Sequence, residues 1–385
     1  MKAKRLSILG STGSIGCSAL EVIVANPGRF EILALTAGRN VELLAEQIKK
    51  FKPRYAVVYS AKEADELKKL DPLPGLEISY GQEGLTQVAA LPENDMVLNA
   101  LVGAAGLMAS LATVRAGKDL ALANKESLVV GGPLFESEIE KSGAKILPID
   151  SEHSAIWQCL KAGKSDEVRR ILLTASGGPF LKREKSTFKD ISREEALAHP
   201  TWKMGPKISI DSATMMNKGL ELIEAVWLFS IPPDNVKIVI HPQSIVHSMV
   251  EFIDSSIIAQ LSNPDMKLPI AYAIFWPERL PSDNGMIDLA GAGRLDFYEP
   301  DEEKFPALRL ARKAAEMGGT APAAVNAANE VAVESFLAGR IGFVEITELI
   351  EDILVKHVVC KQPGIDDILN CDRDTRQKAY DLIGK

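Results

Sequence analysis

Two carboxylates, Asp150 and Glu152, stand two residues apart at the end of an apolar run. The run predicts an extended segment, and side chains alternate between the faces of an extended backbone, so both carboxylates would point the same way. Two like charges on one side repel each other unless a cation or a proton lies between them. Since hard divalent cations bind carboxylate oxygens, the pair predicts half of a Mg²⁺ or Mn²⁺ site. The alternative is a strand that passes into a helix, with Asp150 or Ser151 as the N-cap and Glu152 in the first turn.

A hydroxyl, an amide and an ammonium group lie close together further along the chain, at Ser212, Asn217 and Lys218. Such donors suit a phosphate monoester. Glu221 follows one turn after Asn217 and Lys218 in a segment with helical periodicity, so it shares their helix face. It is therefore predicted to be the third carboxylate of the metal site. Glu224, one turn further on, is an alternative ligand or a surface charge.

Two predicted strands precede this polar set, at residues 170–174 and 207–211. The first strand leads into the turn Ala175-Ser-Gly-Gly-Pro179. The hydroxyl of Ser176 and the free N–H groups of this turn can cradle a phosphate. The alternative is a tight loop with no ligand.

The segment from His199 to Pro206 is irregular and contains a large aromatic residue, a thioether and two prolines. Exposing Trp202 and Met204 on a loop would be costly unless they cover something, so this segment is predicted to form an active-site lid. The alternative is an anchored surface loop. His199 is a candidate for phosphate contact or proton transfer, although a lone histidine more often simply packs.

The N-terminal residues predict the first βαβ unit of a dinucleotide-binding fold. Residues 4–9 predict a buried strand, the turn Gly10-Ser-Thr-Gly-Ser-Ile-Gly16 follows, and residues 18–25 and 31–36 predict a helix and a second strand. Glycines let the backbone approach a pyrophosphate, which then lies at the positive end of the helix. The spacing is G-x-x-G-x-x-G and not the commoner G-x-G-x-x-G, and the alternative is a turn that only permits tight packing.

The end of the second strand predicts NADP(H) over NAD(H). An NAD site usually has Asp or Glu there, to bind the ribose 2′-hydroxyl, whereas this chain has Ala37-Gly-Arg-Asn40. The Arg39 guanidinium and the Asn40 amide suit a 2′-phosphate. The alternative is that Arg39 is a solvated turn residue and Asn40 the N-cap of a helix that begins at Val41. Both roles can coexist for Asn40.

Further short apolar strands are predicted at residues 55–58, 95–98, 119–122 and 145–149, as a parallel sheet buried on both faces requires. A polar cluster of Asn124, Lys125 and Glu126 follows one of them, at the edge where open α/β sheets bind ligands. Lys125 is a candidate for binding substrate oxygens, and Glu126 for orienting a ribose or the lysine. The alternative is a solvated helix start.

The bulk properties fit a cytoplasmic protein of two or three domains. The chain has 385 residues, of which 46% are hydrophobic and 25% charged, and is too long for one typical core. A net charge of −8 argues against a nucleic-acid surface. Four scattered cysteines without a C-x-x-C pair suit a reducing cytosol and argue against a zinc or disulfide framework. No apolar run suits a signal peptide or a membrane span, so no membrane partner is expected.

The predicted fold class is α/β, with a Rossmann-like N-terminal domain, a central α+β domain and a C-terminal helical bundle. The predicted boundaries are residues 1–149 for the first domain, 150–276 for the second with its lid at 196–206, 277–298 for a linker, and 299–385 for the third. Alternating apolar residues predict antiparallel strands at 236–240, 245–252 and 256–261, and amphipathic patterns predict helices at 307–317, 323–337, 344–355 and 373–383. A capping role and a functional role both remain open for Asn326, Asn329 and Glu330.

Together these motifs resemble the 1-deoxy-D-xylulose 5-phosphate reductoisomerase family. The stretches that carry the resemblance run through the chain in order and are Gly10-Ser-Thr-Gly-Ser-Ile-Gly16, Ala123-Asn-Lys-Glu-Ser-Leu-Val129, Asp150-Ser-Glu-His153, Ser176-Gly-Gly-Pro-Phe180, His199-Pro200, Trp202, Met204-Gly205, residues 211–221, His241-Pro-Gln-Ser244 and Asn326-Ala-Ala-Asn-Glu330. The resemblance implies an NADPH domain, a central catalytic and dimerisation domain and a C-terminal helical domain, in a V-shaped homodimer.

The resemblance also implies roles for individual residues. NADPH would contact Thr12, Gly13, Ser14 and Ile15 at its pyrophosphate, Gly38, Arg39 and Asn40 at its 2′-phosphate end, and Asn124, Glu126 and Gly205 elsewhere. Asp150, Glu152 and Glu221 would bind Mn²⁺, Mg²⁺ or Co²⁺. The substrate would contact Lys125, Ser151, Glu152, Ser176, His199, Trp202, Met204, Ser212, Asn217, Lys218 and Glu221. The catalytic groups would be Lys125, His199 and the three carboxylates. The family often has lysine at the Arg39 position, and because both side chains are cationic the NADPH prediction stands.

The implied reaction is the NADPH- and metal-dependent rearrangement and reduction of 1-deoxy-D-xylulose 5-phosphate to 2-C-methyl-D-erythritol 4-phosphate, on the methylerythritol phosphate route to isoprenoid precursors. The carbon skeleton would rearrange by retro-aldol cleavage and re-addition to a branched aldehyde, which then accepts hydride. The alternative is a simple NADP-dependent dehydrogenase of a small phosphorylated or amino-acid-derived aldehyde, which needs no three-carboxylate metal site. A non-catalytic NADPH-sensing protein would need neither the carboxylates nor the phosphate-binding set.

Overall fold

The computed structural model describes residues 3–70, 73–198, 205–281 and 285–384. The chain divides into two compact units, of which the first contains residues 1–127, 135–154 and 265–284, and the second contains residues 128–134, 155–264 and 285–385. A parallel sheet with many helices confirms the predicted α/β class. The boundaries of the three domains expected from the sequence remain predictions.

The first unit is built on a parallel sheet that has seven strands in the described residues. In chain order these strands are β1 (Lys4–Leu9), β2 (Phe30–Thr36), β3 (Tyr55–Val58), β4 (Glu77–Tyr80), β5 (Met96–Asn99), β6 (Asp119–Leu122) and β7 (Ile146–Pro148). They lie side by side in the order β4-β3-β2-β1-β5-β6-β7, and every neighbouring pair is parallel. The central strands are almost wholly buried, which their unbroken apolar runs require.

The order of strands reverses direction beside β1, because β2, β3 and β4 extend to one side and β5, β6 and β7 to the other. All the strands are parallel, so their carboxyl ends lie along one edge of the sheet. Such an edge, next to the point of reversal, is where open α/β sheets bind ligands. The glycine-rich turn, the Arg39 loop, the Asn124 cluster and Asp150 all follow strands that end at this edge.

The helices in the described part of the chain connect and cover the sheets. In chain order they are α1 (Ser14–Val24), α2 (Val41–Phe51), α3 (Ala61–Lys69), α4 (Gly81–Ala89), α5 (Leu107–Arg115), α6 (Lys125–Ser142), α7 (Ser151–Cys159), α8 (Arg193–Leu197), α9 (Pro206–Ala213), α10 (Met216–Phe229), α11 (Lys267–Phe275), α12 (Leu289–Ala292), α13 (Ala307–Met317), α14 (Ala321–Leu337), α15 (Phe343–Lys356) and α16 (Ile365–Ile383). None of these helices has a stretch both long and apolar enough to cross a membrane.

Helix α11 packs within the first unit, far in sequence from the other elements of that unit. The ring of Phe275 meets that of Phe30 edge-on, with centroids 5.0 Å apart. The ammonium of Lys267 lies 2.7 Å from a carboxylate oxygen of Glu21 on α1. An apolar contact and an ion pair therefore hold this late segment against the beginning of the chain.

The second unit contains a smaller sheet, formed by β8 (Val168–Ala175), β9 (Val236–Ile240), β10 (Val246–Phe252) and β11 (Ile257–Leu261). The order is β11-β10-β8-β9, with β10 antiparallel to both β8 and β11. The predicted antiparallel pairing of β9 is wrong, because β9 runs parallel to β8. The helices between β8 and β9 provide the long crossover that a parallel pair requires.

Residues 207–211, predicted as a strand, belong to helix α9, so that prediction is wrong. The alternating pattern Lys-Ile-Ser-Ile-Asp is too short to separate a strand from a helix turn by periodicity. Pro206 stands in the first turn of α9, where its fixed φ favours a helix and its missing N–H costs nothing. The helix buries Ile210, Asp211 and Ala213.

The C-terminal helices confirm the predicted helical region. The bounds of α13 match the prediction, those of α14 and α15 agree within two residues, and α16 begins eight residues before the predicted 373. Helix α14 is rich in alanine and almost wholly buried among α13, α15 and α16. Its small side chains let the neighbouring helices pack closely, and Phe180, Phe188 and Phe343 close one end of this core with edge-on and tilted ring contacts.

Candidate active site

The backbone at the carboxylate pair differs from the extended segment that the sequence predicts. Strand β7 ends at Pro148, and Ser151 begins α7. The N–H of Ser154 donates to the carbonyl of Asp150 at 2.8 Å, so Asp150 occupies the N-cap position and Glu152 lies in the first turn. The alternative of a strand that passes directly into a helix is therefore confirmed as local structure. It does not exclude a ligand, because the positive end of a helix also favours carboxylates.

Asp150 is paired with Lys125, the first residue of α6. The Nζ atom of Lys125 lies 2.8 Å from Oδ2 of Asp150, and Nδ1 of His153 lies 3.7 Å from the same oxygen. Burial by itself would raise the pKa of Asp150, but the Lys125 ammonium and the His153 ring hold that pKa well below its usual range. Asp150 is therefore an ionised carboxylate near neutral pH, which is the form that binds a hard divalent cation.

Glu152 is half-buried, and its carboxylate accepts a hydrogen bond from the neighbouring Ser151 hydroxyl. Asp150 and Glu152 thus bring two carboxylates to the start of one helix in the first unit. This donor set fits a hard divalent cation, since such ions take carboxylate oxygens.

The polar cluster at the start of α6 is buried, so the alternative of a solvated helix start is wrong. Asn124, Lys125 and Glu126 expose between 1% and 7% of their surface. The Nδ2 atom of Asn124 donates to the carbonyls of Leu101 and Gly103, at 3.0 and 2.9 Å, and lies 3.1 Å from Oε2 of Glu126. Asn124 therefore fixes the loop after β5 against the start of α6 and orients Glu126.

The glycine-rich turn has the geometry of an anion site. Gly10 has a φ of +82°, and a Cβ added there would lie 2.7 Å from the carbonyl oxygen of Ala100. A Cβ on Gly16 would collide with the carbonyl oxygen of Gly10. The N-cap of α1 is Gly13, which brings no side chain to the first N–H groups of the helix. Thr12, Gly13, Ser14 and Ile15 therefore surround an uncapped helix N-terminus, the feature that binds phosphates.

The loop after β2 is exposed at Gly38, Arg39 and Asn40. The Oδ1 atom of Asn40 accepts a hydrogen bond of 3.2 Å from the N–H of Leu43, which confirms the predicted N-cap of α2. The guanidinium of Arg39 lies over the ring of Tyr59, 5.2 Å from its centroid. A cation held against an aromatic face at this sheet edge is suited to a phosphate ester.

The predicted phosphate-binding residues all lie in the second unit. Gly177 and Gly178, after β8, have positive φ values, and a Cβ on Gly178 would lie 2.6 Å from the carbonyl oxygen of Ser212. The turn that carries Ser176 therefore lies directly against the C-terminal end of α9, which brings Ser176 and Ser212 into one region. Both residues are half-buried, and the Ser176 hydroxyl accepts a hydrogen bond from the N–H of Gly178 at 3.3 Å.

Asn217 and Lys218 lie in the first turn of α10 and donate hydrogen bonds to the two carboxylate oxygens of Glu221. Glu221 is 1% exposed, as is Glu224 one turn later. The surface-charge alternative for Glu224 is therefore wrong. The residue before α10, Met215, is a buried non-glycine residue with a φ of +64°. Such a backbone conformation is sparsely populated and persists where the surrounding structure imposes it, frequently near functional sites.

The polar contacts of Asp211 and of Glu330 were not anticipated from the sequence. Asp211 is 1% exposed; its Oδ1 accepts a hydrogen bond of 2.8 Å from Nδ2 of Asn329, and Nζ of Lys207 lies 2.8 Å from its Oδ2. Helix α14 is thereby tied to α9, which carries Ser212. Glu330 accepts from Asn326 and pairs with Arg376 on α16. The only signal in the sequence was the polar triplet of Asn326, Asn329 and Glu330 within an alanine-rich helix.

His199, Trp202 and Met204 lie outside the described residues, as does most of the predicted lid at 196–206. The described chain resumes at Gly205, which is exposed and is the N-cap of α9.

Three family models match the chain. They are described as 1-deoxy-D-xylulose 5-phosphate reductoisomerase, over residues 6–132, as the C-terminal domain of that enzyme, over residues 146–229, and as the DXP reductoisomerase C-terminal domain, over residues 261–378. Curated proteins named 1-deoxy-D-xylulose 5-phosphate reductoisomerase are similar over almost the full length. The protein from Chlorobium limicola is 51% identical over 99% of this chain and 100% of its own, and that from Pseudomonas aeruginosa is 50% identical over 98% and 97%.

Solved structures of reductoisomerases are also similar to this chain in sequence and in fold. The reductoisomerase from Zymomonas mobilis in complex with NADPH is 42% identical and superimposes with a TM-score of 0.93 over 99% of both chains. A DOX-P reductoisomerase in complex with NADPH, fosmidomycin and magnesium is 43% identical, with a TM-score of 0.94 over 99% of this chain and 98% of the other.

Proposed function

Because the chain belongs to the 1-deoxy-D-xylulose 5-phosphate reductoisomerase family, we propose that it converts 1-deoxy-D-xylulose 5-phosphate into 2-C-methyl-D-erythritol 4-phosphate with NADPH and a divalent metal ion. The observation that carries this proposal is the ion pair of Lys125 and Asp150 at the carboxyl edge of the first sheet. A plain dehydrogenase needs the dinucleotide turn but no metal-binding pair of carboxylates beside it.

Asp150, Glu152 and Glu221 are the proposed ligands of Mg²⁺, Mn²⁺ or Co²⁺, which when bound supplies a Lewis acid for the carbonyl and hydroxyl oxygens of the substrate. Lys125 holds Asp150 in place and is proposed to contact a substrate oxygen. Its ammonium thereby stabilises negative charge that develops on that oxygen in a site from which water is largely excluded.

Thr12 to Ile15 are proposed to bind the pyrophosphate of NADPH, which supplies hydride to the rearranged aldehyde. Gly38, Arg39 and Asn40 are proposed for the 2′-phosphate, and Asn124, Glu126 and Gly205 for the remaining contacts. The uncapped start of α1 and the exposed Arg39 guanidinium support this assignment.

The phosphate of the substrate is proposed to bind Ser176, Ser212, Asn217 and Lys218, with His199 beside them and Ser151 on the polar carbon chain. The packing of Gly178 against Ser212 supports the first two assignments. The phosphate is remote from the reacting carbons, so its binding energy can orient them. Residues 196–206, with Trp202 and Met204, are proposed to close over the substrate and keep water from the intermediate.

A homodimer is proposed, with β11 facing the second copy. Among the described strands β11 lies at one edge of its sheet, and Ile257 and Ile258 are 51% and 38% exposed there. An exposed apolar edge strand pairs readily with another chain. Analytical ultracentrifugation of Ile258→Glu should show dissociation, whereas Val355→Glu, which places the same charge at an exposed apolar site on α15, should sediment as the unaltered protein does. Unchanged sedimentation of Ile258→Glu would remove β11 from the interface.

A cytoplasmic location is proposed with the activity. The four cysteines are free thiols in the described structure, which suits a reducing compartment.

The proposed reaction is tested by incubating the protein with 1-deoxy-D-xylulose 5-phosphate, Mn²⁺ and NADPH while the reduced-nicotinamide absorbance is followed. Loss of absorbance with formation of the branched tetrol phosphate, identified by NMR, is the expected result. Full activity after EDTA treatment would favour the simple NADP-dependent dehydrogenase instead. Absence of NADPH oxidation would favour a non-catalytic NADPH-binding protein.

A further inference from the structure

The buried side chain of Gln47 contacts the glycine-rich turn from the neighbouring helix. Gln47 lies on α2 and is 7% exposed, and Ser11, the second residue of the turn, is 0% exposed. The Nε2 atom of Gln47 donates to the backbone carbonyl of Ser11 at 2.9 Å, and the Ser11 hydroxyl donates to Oε1 of Gln47 at 2.7 Å. One side-chain amide therefore binds two polar atoms of a single residue in reciprocal directions.

Burying an amide at this position costs the free energy of its lost hydration, and packing alone does not offset that cost. The other inward residues of α2 are apolar, including Val41, Leu44 and Ile48. A glutamine among them loses hydration and is tolerated because both its donor and its acceptor are paired. The pairing is with the turn and not with other parts of α2, so the side chain acts on the conformation of the turn.

The bond to the Ser11 carbonyl sets the direction of the next N–H group. In a trans peptide the C=O and the following N–H point in opposite directions. The Ser11 oxygen is held by Gln47 and is also approached at 3.6 Å by Sγ of Cys17 on α1, so the N–H of Thr12 is directed away from these two side chains. Thr36 also holds Ser11 in place, because its carbonyl accepts from the N–H of Ser11 at 2.8 Å and from the Ser11 hydroxyl at 3.1 Å.

We propose that Gln47 is a positioning residue for the dinucleotide, which aims the Thr12 N–H at the pyrophosphate by holding Ser11. The inference rests on the proposed binding of NADPH to this turn. Gln47 lies two turns after Asn40, the N-cap of α2. The same helix therefore connects the loop proposed for the 2′-phosphate with the turn proposed for the pyrophosphate. Since NADPH and NADH share the pyrophosphate, Gln47 acts on both dinucleotides, whereas Arg39 acts on the 2′-phosphate alone.

The test is the affinity of the full chain for NADPH and for NADH, measured by isothermal titration calorimetry. Gln47→Met keeps the length and volume of the side chain and removes both hydrogen bonds. We expect it to lower the affinity for both dinucleotides by a similar factor of about ten. Ser11→Ala removes the hydrogen bonds of the Ser11 hydroxyl but leaves the Ser11 carbonyl bonded to Gln47. It should therefore lower the affinity for both dinucleotides less than Gln47→Met does. Gln87→Leu, at an exposed position on α4, is the matched control and should leave both affinities unchanged.

Circular dichroism and thermal unfolding establish that each variant is folded. If Gln47→Met does not fold, Gln47→Asn serves the same purpose, because its shortened amide does not reach Ser11. A folded variant of either kind with NADPH and NADH affinities within twofold of the unaltered protein would overturn the inference. A loss of affinity for NADPH alone would also overturn it, because it would mean that Gln47 acts on the 2′-phosphate. Failure of the unaltered protein to bind either dinucleotide would overturn the proposed function itself.

Discussion

The ammonium nitrogen of Lys125 lies 2.8 Å from Oδ2 of Asp150, and both side chains are largely buried. Removing the lysine leaves this carboxylate with one partner fewer and removes the proposed donor to the substrate. We expect Lys125→Met to lower kcat/KM on the order of a hundredfold or more. Steady-state kinetics with varied deoxyxylulose phosphate check this prediction. Lys141→Met, at a 67% exposed position on the same helix, should retain full activity. Equal losses in both variants would point to a general effect on α6.

Arg39 is exposed after β2 and lies over the Tyr59 ring. In the proposed site its charge contacts the 2′-phosphate, which NADPH carries and NADH lacks. We expect Arg39→Ala to lower the affinity for NADPH by a factor of about 10 to 100 and to leave the affinity for NADH unchanged. Fluorescence titration with the two dinucleotides measures the ratio. A proportional loss for both would show that Arg39 acts on the fold of the loop and not on the phosphate.

Glu221 is buried and accepts hydrogen bonds from Asn217 and Lys218. Replacing it by glutamine keeps its shape and removes its charge. We expect Glu221→Gln to weaken Mn²⁺ binding by roughly a hundredfold while NADPH affinity stays intact. Titration of Mn²⁺ followed by electron paramagnetic resonance provides the measurement. A greater loss of Mn²⁺ binding in Glu224→Gln would identify Glu224 as the ligand, and joint loss of metal and NADPH would indicate a folding defect.

Asn329 donates to Asp211, so the pair joins the C-terminal helices to the helix that carries Ser212. Asn329→Ala leaves a buried carboxylate one donor short, and we expect it to lower the free energy of unfolding by about 1–3 kcal/mol. The KM for the sugar phosphate should also rise, because α9 loses its support. Urea denaturation and kinetics check the two effects. Asn370→Ala, at an exposed position on α16, should change neither. A rise in KM without loss of stability would contradict the structural role.

His357 has a pKa below its ordinary value of 6.5, because burial and the charge of Lys378 disfavour its protonated form. Its Nε2 lies 2.9 Å from the Thr320 hydroxyl. The folded protein therefore takes up its proton at a lower pH than the unfolded chain does, so stability falls as pH drops below about 6.5 and levels off below the folded pKa. Thermal unfolding between pH 8 and pH 5 should show this decline, and His357→Gln should make it shallower. An identical pH profile in the variant would exclude His357 as its source.

The sequence predicted the elements with strong, long patterns. The βαβ start, the Asn40 cap and the helices near 307–317 and 323–337 follow from apolar periodicity and capping chemistry that act locally. Residues 207–211 and the direction of β9 were mispredicted, because a five-residue alternation suits either structure and strand direction is set by distant pairing. The bond of Gln47 to Ser11 had no local signal, and the polar triplet that contains Asn329 did not indicate Asp211 as its partner. Each depends on how separate helices pack, which a single sequence does not encode in its spacing.

The parallel pairing of β8 and β9 has a consequence for how the protein folds. The hairpin of β10 and β11 closes through local contacts, whereas β9 reaches β8 only after residues 176–235 have been gathered into a closed loop. Closing that loop lowers the entropy of the chain before the hydrogen bonds and packing of the strand pair can compensate for it. The gathered residues include Ser176, Ser212 and Asn217, so the region proposed to bind the substrate phosphate is assembled as the crossover is formed. A chain that fails to order these residues therefore also leaves one strand of the second sheet without its partner.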